Sequence, residues 1–395
     1  MLLALCLLTA LTLLFWSWAA VMFWPALGRI PQLKRLRLPE DPDFEWPALT
    51  IVTTARNEEP AVGRAVRSML AADYPRLEVV AVNDASSDGT GAILDGIRDL
   101  RLRVVHLKGD PPPGWLGKNW ALHCAAQEAS GEYILFTDGD VEYRPGALRR
   151  AIWLALRMRA DHVVAFPRLI LKNAIERSFM LEFSILFFLG FRLWEALDPH
   201  SRNSLGMGAF NLVRREALMR AGGFETIRMN VEDDVALGRI IKENGGRFAA
   251  GYSNGMVRVR WQDGAWAMVM GLEKNIYAST GFRAWHILSG AAFLLITGWM
   301  PFLAVLTGAF SAHIPLILLG LSCLVAMLYT IEAFRPGGLG APAGAILAIP
   351  AGSCLLTAAM LNSLQATLRR GGIEWRGRYY SIEEIKAHRR DFPVF

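Results

Sequence analysis

Tyr133-Ile134-Leu135-Phe136-Thr137-Asp138-Gly139-Asp140 is the stretch on which the fold turns. Its apolar and β-branched residues make a run too short for a buried helix but suited to a buried strand, and the run ends in two carboxylates separated by a glycine. The same pattern recurs upstream. Ala48 to Thr54 is a β-branched apolar run with Pro47 before it and Arg56-Asn57-Glu58 after it, Leu77 to Val82 is a second, and Leu102 to Leu107 a third. Helical spacing fills the gaps between them. Pro60 suits a helix start, and Val62, Val66, Met69 and Leu70 recur on one face up to the turn at Asp73-Tyr74-Pro75. Asp88-Gly89-Thr90 reads as a turn and cap before a helix over Ala92 to Leu100, and Lys118 to Ala129 forms the next helix. Alternation of this kind predicts an α/β domain with a mostly parallel sheet and helices on both faces. Ligands of such sheets bind beyond the carboxyl ends of the strands.

Three acidic clusters sit at such places. Asn83-Asp84-Ala85-Ser86-Ser87-Asp88 follows the second strand; it is either a polar turn capped by Asp88 and Thr90, or a site in which Asp84 accepts hydrogen bonds from a base or ribose. Asp138 and Asp140 can turn toward one divalent cation, since two unpaired carboxylates at one strand end would repel each other. Glu232-Asp233-Asp234 precedes Leu237, Ile240 and Ile241 at helical spacing. Acids are favoured at a helix start, yet one of them, Asp233, is also placed to act as a general base. Weaker signals are Gly206-Met207-Gly208, which is a turn or a close backbone approach, and Lys118, a phosphate contact or a solvated charge. His123 reads as a packed or exposed histidine rather than a ligand.

Outside this region the composition changes. Hydrophobic residues make up 53% of the 395-residue chain, and Met1 to Trp24, Ile287 to Ala312, Ile314 to Ile331 and Gly338 to Leu368 carry no charged side chain. Each run is long enough to cross a bilayer as a helix. Arg29, Lys34, Arg35 and Arg37 follow the first run, which puts the middle domain on the cytoplasmic side; three further spans would leave the tail outside. Arg369, Arg370, Arg376 and Arg378 argue instead that the tail is inside, so one C-terminal segment, interrupted by Pro342 and Pro350, is a candidate for a re-entrant or bent hairpin. The net charge of +6 lies largely beside the apolar runs, which suits anionic headgroups and not nucleic acid. The four cysteines have no metal-ligand spacing.

In order, Thr54-Ala55-Arg56-Asn57-Glu58, Asn83-Asp84-Ala85-Ser86, Asp138-Gly139-Asp140 and Glu232-Asp233 resemble the family 2 glycosyltransferases, over about Pro47 to Tyr277. The likeness is nearest to membrane-bound members acting on lipids: the ceramide glucosyltransferase type, and the hopene-associated and diaponeurosporenoate types, which share a stretch like Gly114-Trp115-Leu116-Gly117-Lys118. It implies a nucleotide-sugar-binding GT-A domain and an inverting transfer of one sugar from a nucleotide-diphosphate sugar, a UDP-sugar, to a lipid acceptor. By position it implies that Asp84 contacts uracil, that Asn57, Glu58 and Lys118 lie at the donor, and that Asp138 and Asp140 hold ribose and a magnesium or manganese ion. Asp233 matches the catalytic base, with Glu232, Gly208 and Lys274 as acceptor-side or supporting residues. The Gln-x-x-Arg-Trp of processive relatives is missing; Trp266 to Asn275 retains only Lys274 as a cation. That speaks against the alternative of a polysaccharide synthase, and the presence of all the carboxylates speaks against an inactive scaffold.

The organisation expected is an anchor at 1–24, a basic linker at 25–46, the GT-A domain at 47–285, about three spans within 286–368 and a basic tail at 369–395. Interfacial helices are expected near 179–194 and 264–280. The whole is expected to be an integral protein of a bacterial inner or plasma membrane with a cytoplasmic catalytic domain.

Overall fold

The computed structural model describes residues 1–339 and 345–392. Pro342 lies outside the described residues. The chain forms two compact units, one of Pro31–Ile170, Phe191–Trp261 and Gly371–Phe395, the other of Met1–Ile30, Leu171–Gly190 and Gln262–Arg370. The first is built on a seven-stranded sheet. Its parallel heart is β1 (Leu49–Ala55), β2 (Leu77–Asp84), β3 (Leu102–Leu107) and β4 (Tyr133–Asp138), in the order β3-β2-β1-β4. Asn211–Arg214 continues the sheet antiparallel to β4, and His162–Phe166 and Phe248–Tyr252 complete it.

Strands buried on both faces explain the continuous apolar runs in the sequence. In β2, Val79 and Ala81 face a core containing Met69 and Leu94, whereas Val80 and Val82 face a core containing Leu122, Ala125, Leu237 and Ile240. That period-two division requires helices on both sides of the sheet. The expected helix over Ala92 to Leu100 is shorter, Thr90–Asp95. It stops where Gly96 removes side-chain support, in keeping with glycine's poor helix propensity.

Register places the acids. Thr54 pairs with Asp138 across β1 and β4, and Ala55 pairs with Asn83 across β1 and β2. Asp84 and Asp138 therefore emerge at nearly the same level on either side of β1, at the carboxyl edge of the sheet.

The second unit contains four helices long and apolar enough to cross a membrane: Leu2–Gly28, Ala284–Phe310, Ile314–Glu332 and Ile346–Arg370. They are joined by small-residue and polar contacts of the sort used between helices in lipid. Trp16 donates from Nε1 to the Thr297 carbonyl at 3.2 Å, and the Thr330 hydroxyl donates to the Trp16 carbonyl at 3.0 Å. The segment expected near 179–194 is a helix over Ala174–Gly190 followed by a short turn of helix at Leu193–Ala196, and 264–280 forms Ala265–Gly271 and Glu273–Ser279. Contacts group Leu171–Gly190 and the residues from Gln262 onward with the apolar helices, and group Gly371–Phe395 with the sheet. The sequence had set 369–395 apart as a tail.

Candidate active site

Three distant stretches meet at the edge of β4. Lys118 Nζ lies 3.0 Å from Asp138 Oδ1 and 3.1 Å from Asp233 Oδ2. The geometry is built from the backbone outward. Lys118 stands in the first turn of the helix Gly117–Glu128, and its neighbour Asn119 is fully buried. The Asn119 amide Nδ2 donates to the carbonyls of Ile227 (2.9 Å), Arg228 (3.2 Å) and Asn230 (2.9 Å). The Leu116 N–H also donates to Arg228 O at 3.0 Å. These bonds tie the lysine's helix to the loop that delivers Asp233, the first residue of the helix Asp233–Glu243.

Glycine is obligatory nearby. A Cβ on Gly208 would stand 2.6 Å from Asp138 Oδ2, and one on Gly206 would stand 1.9 Å from the Asp234 carbonyl oxygen. The Gly206-Met207-Gly208 stretch thus passes close to the acids, where the sequence offers a turn or a close approach to a substrate. Asp138 N–H donates to Gly208 O at 3.0 Å, and Tyr143 braces the same loop by donating to Thr137 Oγ1 at 2.8 Å.

The electrostatics follow from crowding. Desolvation acts to lower the Lys118 pKa, but the carboxylates of Asp138, Asp233 and Asp234 outweigh it and hold the amine well above an ordinary lysine. Asp234 is pushed up, first by desolvation and then by Asp233. Burial, reinforced by Asp138 and Glu58, pushes Asp140 up to about 7. Negative charge therefore accumulates around Asp140. Among the described residues no group of three or more His, Cys, Asp or Glu side chains is arranged to hold an ion by itself. A pair such as Asp138 and Asp140 would leave most of a cation's oxygens to water and substrate.

Asp84 has a different environment. Its two oxygens accept from Arg378 of the C-terminal segment, with Nη1 at 3.1 and 2.9 Å and Nη2 at 3.1 Å. Arg378 also donates from Nε to Asp110 Oδ1 at 3.0 Å and from Nη2 to Gly109 O at 3.0 Å. Tyr380 Oη accepts from the Gly117 N–H at 2.9 Å. From the sequence, Arg376 and Arg378 stand out only as basic residues of the tail, and Tyr380 does not stand out at all. The signal was an Arg376-Gly377 pair between Ile373, Trp375 and Arg378, Tyr380, which is a two-residue hairpin turn flanked by alternating residues.

The other expected residues divide. Asn57, in a left-handed conformation (φ 55°), receives Ser87 N–H at its Oδ1 at 2.8 Å, and Thr90 Oγ1 accepts from Glu58 N–H at 2.8 Å. These bonds lace the loops after β1 and β2 together. Asp88 accepts from Thr90 N–H at 3.0 Å, while Gly89 and not Asp88 stands at the N-cap of that helix. Glu58 Oε1 accepts from Arg376 Nη2 at 2.8 Å. Glu232 immediately precedes the Asp233 helix, and its carbonyl accepts from Ala236 N–H at 3.0 Å. Lys274 belongs to the other compact unit and donates to Asn275 Oδ1 at 2.6 Å.

Residues 50–222 match the model of the family described as "Glycosyl transferase family 2". A 4,4'-diaponeurosporenoate glycosyltransferase of Staphylococcus aureus (strain MRSA252) is 24% identical over 347 residues, 87% of this chain and 90% of the relative. Among solved structures, the Pyrobaculum calidifontis mannosyltransferase PcManGT, in complex with GDP-Man and Mn2+, is 18% identical with a TM-score of 0.48, covering 92% of this chain and 99% of the other. S. aureus TarS 1–349 in complex with UDP-GlcNAc is 18% identical with a TM-score of 0.44, covering 84% and 95%. Residues 50–222 thus form a family 2 glycosyltransferase domain, and the chain is a glycosyltransferase.

Proposed function

We propose that the enzyme transfers one sugar, with inversion, from a UDP-sugar to a hydrophobic acceptor, and that Asp233 is its base. The observation that supports this most is the single lysine ammonium joining Asp233 to Asp138. It sets the proton acceptor beside the donor carboxylates at a fixed separation. In the transfer, the acceptor O–H bond breaks, its proton passes to an Asp233 carboxylate oxygen, and the acceptor oxygen bonds to the anomeric carbon. The bond from that carbon to the diphosphate oxygen breaks on the opposite face, and the nucleoside diphosphate leaves. Asp138 and Asp140 would hold a magnesium or manganese ion, which would neutralise charge on the leaving group. Lys118 pairs with both carboxylates and so keeps Asp233 beside Asp138. Asn119 and Gly208 act as positioning residues, through the loop bonds and the close approach already described.

A lipid acceptor is supported by the four apolar helices and by the printed name of the relative, which gives 4,4'-diaponeurosporenoate as its substrate. We place the enzyme in a cell membrane with its catalytic unit on the cytoplasmic face, from the basic residues that follow the first span. Because Gly371–Phe395 folds with the catalytic unit, the intervening chain returns to the side it left, having crossed the bilayer an even number of times. On this reading one of its long helices does not cross fully, in keeping with a basic tail on the inside.

The test is full-length protein in detergent with labelled UDP-sugars, Mn2+ and a lipid extract. A single lipid-soluble labelled product is the expected result. A ladder of sizes would make it a polymerase, and release of label from GDP-sugars alone would replace the donor.

A further inference from the structure

The segment 371–392 is held too firmly to be an appendage. Its strands Gly372–Trp375 and Arg378–Ser381 form an antiparallel hairpin, with Ile373, Tyr380 and the following Ile385 buried. The Arg378 and Asp84 side chains are 8% and 7% exposed. Separating a buried pair of this kind strands two charges, a large penalty that a nucleotide would have to meet in order to displace the hairpin. Asp84 is therefore a docking post for the hairpin.

Docking fixes the turn at its tip. Arg376 (φ 51°) and Gly377 (φ 76°) are both left-handed, as a two-residue hairpin loop requires. The Arg376 carbonyl accepts from Arg56 Nε at 3.0 Å, and Arg56 Nη1 donates in turn to the Asp84 carbonyl at 2.9 Å. The backbone of the tip is thereby pinned to the ends of β1 and β2. The side chain is freer, 33% exposed. Among the described residues its guanidinium makes one hydrogen bond, from Nη2 to Glu58, and its charge also reaches Asp140.

On the reading that this edge binds a nucleotide sugar, we propose that the hairpin is a fixed wall of the donor pocket and that Arg376 at its tip contacts the donor diphosphate. The chemistry suits it. A guanidinium presents a planar fork of donors to phosphate oxygens, and here its other N–H groups stand within a ring of carboxylates that an anion could not otherwise approach. A diphosphate bound at this edge would meet Arg376 beside Glu58 and Asp140.

The experiment titrates the full-length protein in detergent with UDP plus Mn2+ by calorimetry, and with uridine by ligand-detected NMR. Arg376→Asn removes the charge, and asparagine tolerates the left-handed turn. UDP affinity is expected to fall about 10- to 100-fold, the range for losing a hydrogen bond to a charged group, with uridine affinity unchanged and Arg376→Lys restoring part of the loss. Arg376→Gln serves as the second neutral variant should the asparagine lower the unfolding midpoint. Unchanged UDP affinity overturns the assignment, as does an equal loss for UDP and uridine, which would make the residue structural. Tighter UDP binding would make the hairpin a plug instead of a wall. Each of these leaves the donor reading standing, because the wild type still binds UDP. A wild type that binds neither UDP nor GDP removes the donor reading and this inference together.

Discussion

Two aspartates leave the sheet at one level, on the strands flanking β1, and end in opposite circumstances. Asp84 is locked in a forked pair with a buried arginine from the far end of the chain. Asp138 keeps a side chain 41% exposed and shares a flexible lysine with Asp233. Residue type and place in the fold are alike, so the partner decides what each carboxylate does. A guanidinium that fills both oxygens makes an aspartate part of the frame. An ammonium divided between two acids ties two distant stretches to each other without burying either carboxylate in a fork.

The contrast breaks most decisively at the lysine-linked corner. Asp233→Asn keeps the size and a hydrogen-bond acceptor but removes the basic carboxylate. Turnover is expected to fall about 10²- to 10⁴-fold, the usual worth of a positioned general base, with UDP affinity and the unfolding midpoint little changed. Retained turnover in a steady-state assay would move the base to another residue.

At the locked corner the loss should be one of stability. Asp84→Ala leaves the Arg378 guanidinium buried with two of its partners, Asp110 and Gly109, and its strongest one gone. The expected cost is about 3–5 kcal/mol of hairpin docking, read as faster amide exchange across Gly372–Ser381. Asp84→Ala combined with Arg378→Met should cost less than the sum of the two single changes. If the single variant exchanges like wild type, Asp84 is no anchor, and its sequence-based assignment to the nucleobase regains ground.

That pair also shows where reading the sequence stops. The four parallel strands are legible because each is a short, continuous apolar run closed by turn residues, and Asp138 and Asp233 are legible because strand ends and helix starts are where acids acquire roles. Arg378 was not, because a four-residue strand is too short to show a period, and a basic segment after an apolar helix reads equally well as a lipid-facing tail. Its partner lies 294 positions away, and no local pattern encodes such a contact. Asn119 was hidden for a similar reason, its meaning lying in three carbonyls more than 100 residues downstream. Lys118 fell between these cases. The helix start suggested an anion, and the structure supplies two carboxylates in place of a phosphate.

Lys118→Met tests that middle case. The amine is buried among Asp138, Asp233 and Asp234, so its removal leaves three mutually repelling acids with one cation fewer. Both donor affinity and turnover should fall, each by about 10-fold or more, because charge-assisted bonds to two functional groups are lost at once. Loss of turnover alone would confine the lysine to the base, and loss of affinity alone would confine it to the donor.

The smallest effect belongs to the outer end of the same C-terminal segment. Arg390 pairs with Glu243 at 2.9 Å through a side chain that is 38% exposed, so solvent screens most of the attraction. Its backbone is held independently, because Arg390 N–H donates to Asn230 Oδ1 at 2.9 Å and Asn230 Nδ2 donates to Arg390 O at 2.9 Å. Arg390→Ala deletes the ion pair and the cation over the Phe392 ring, but neither amide bond. Amide exchange of the segment should change by the equivalent of no more than about 1 kcal/mol, several-fold less than for Asp84→Ala. A change as large as at Asp84 would mean that the segment is held along its whole length by charge, and the buried fork at Arg378 would lose its special standing as the anchor.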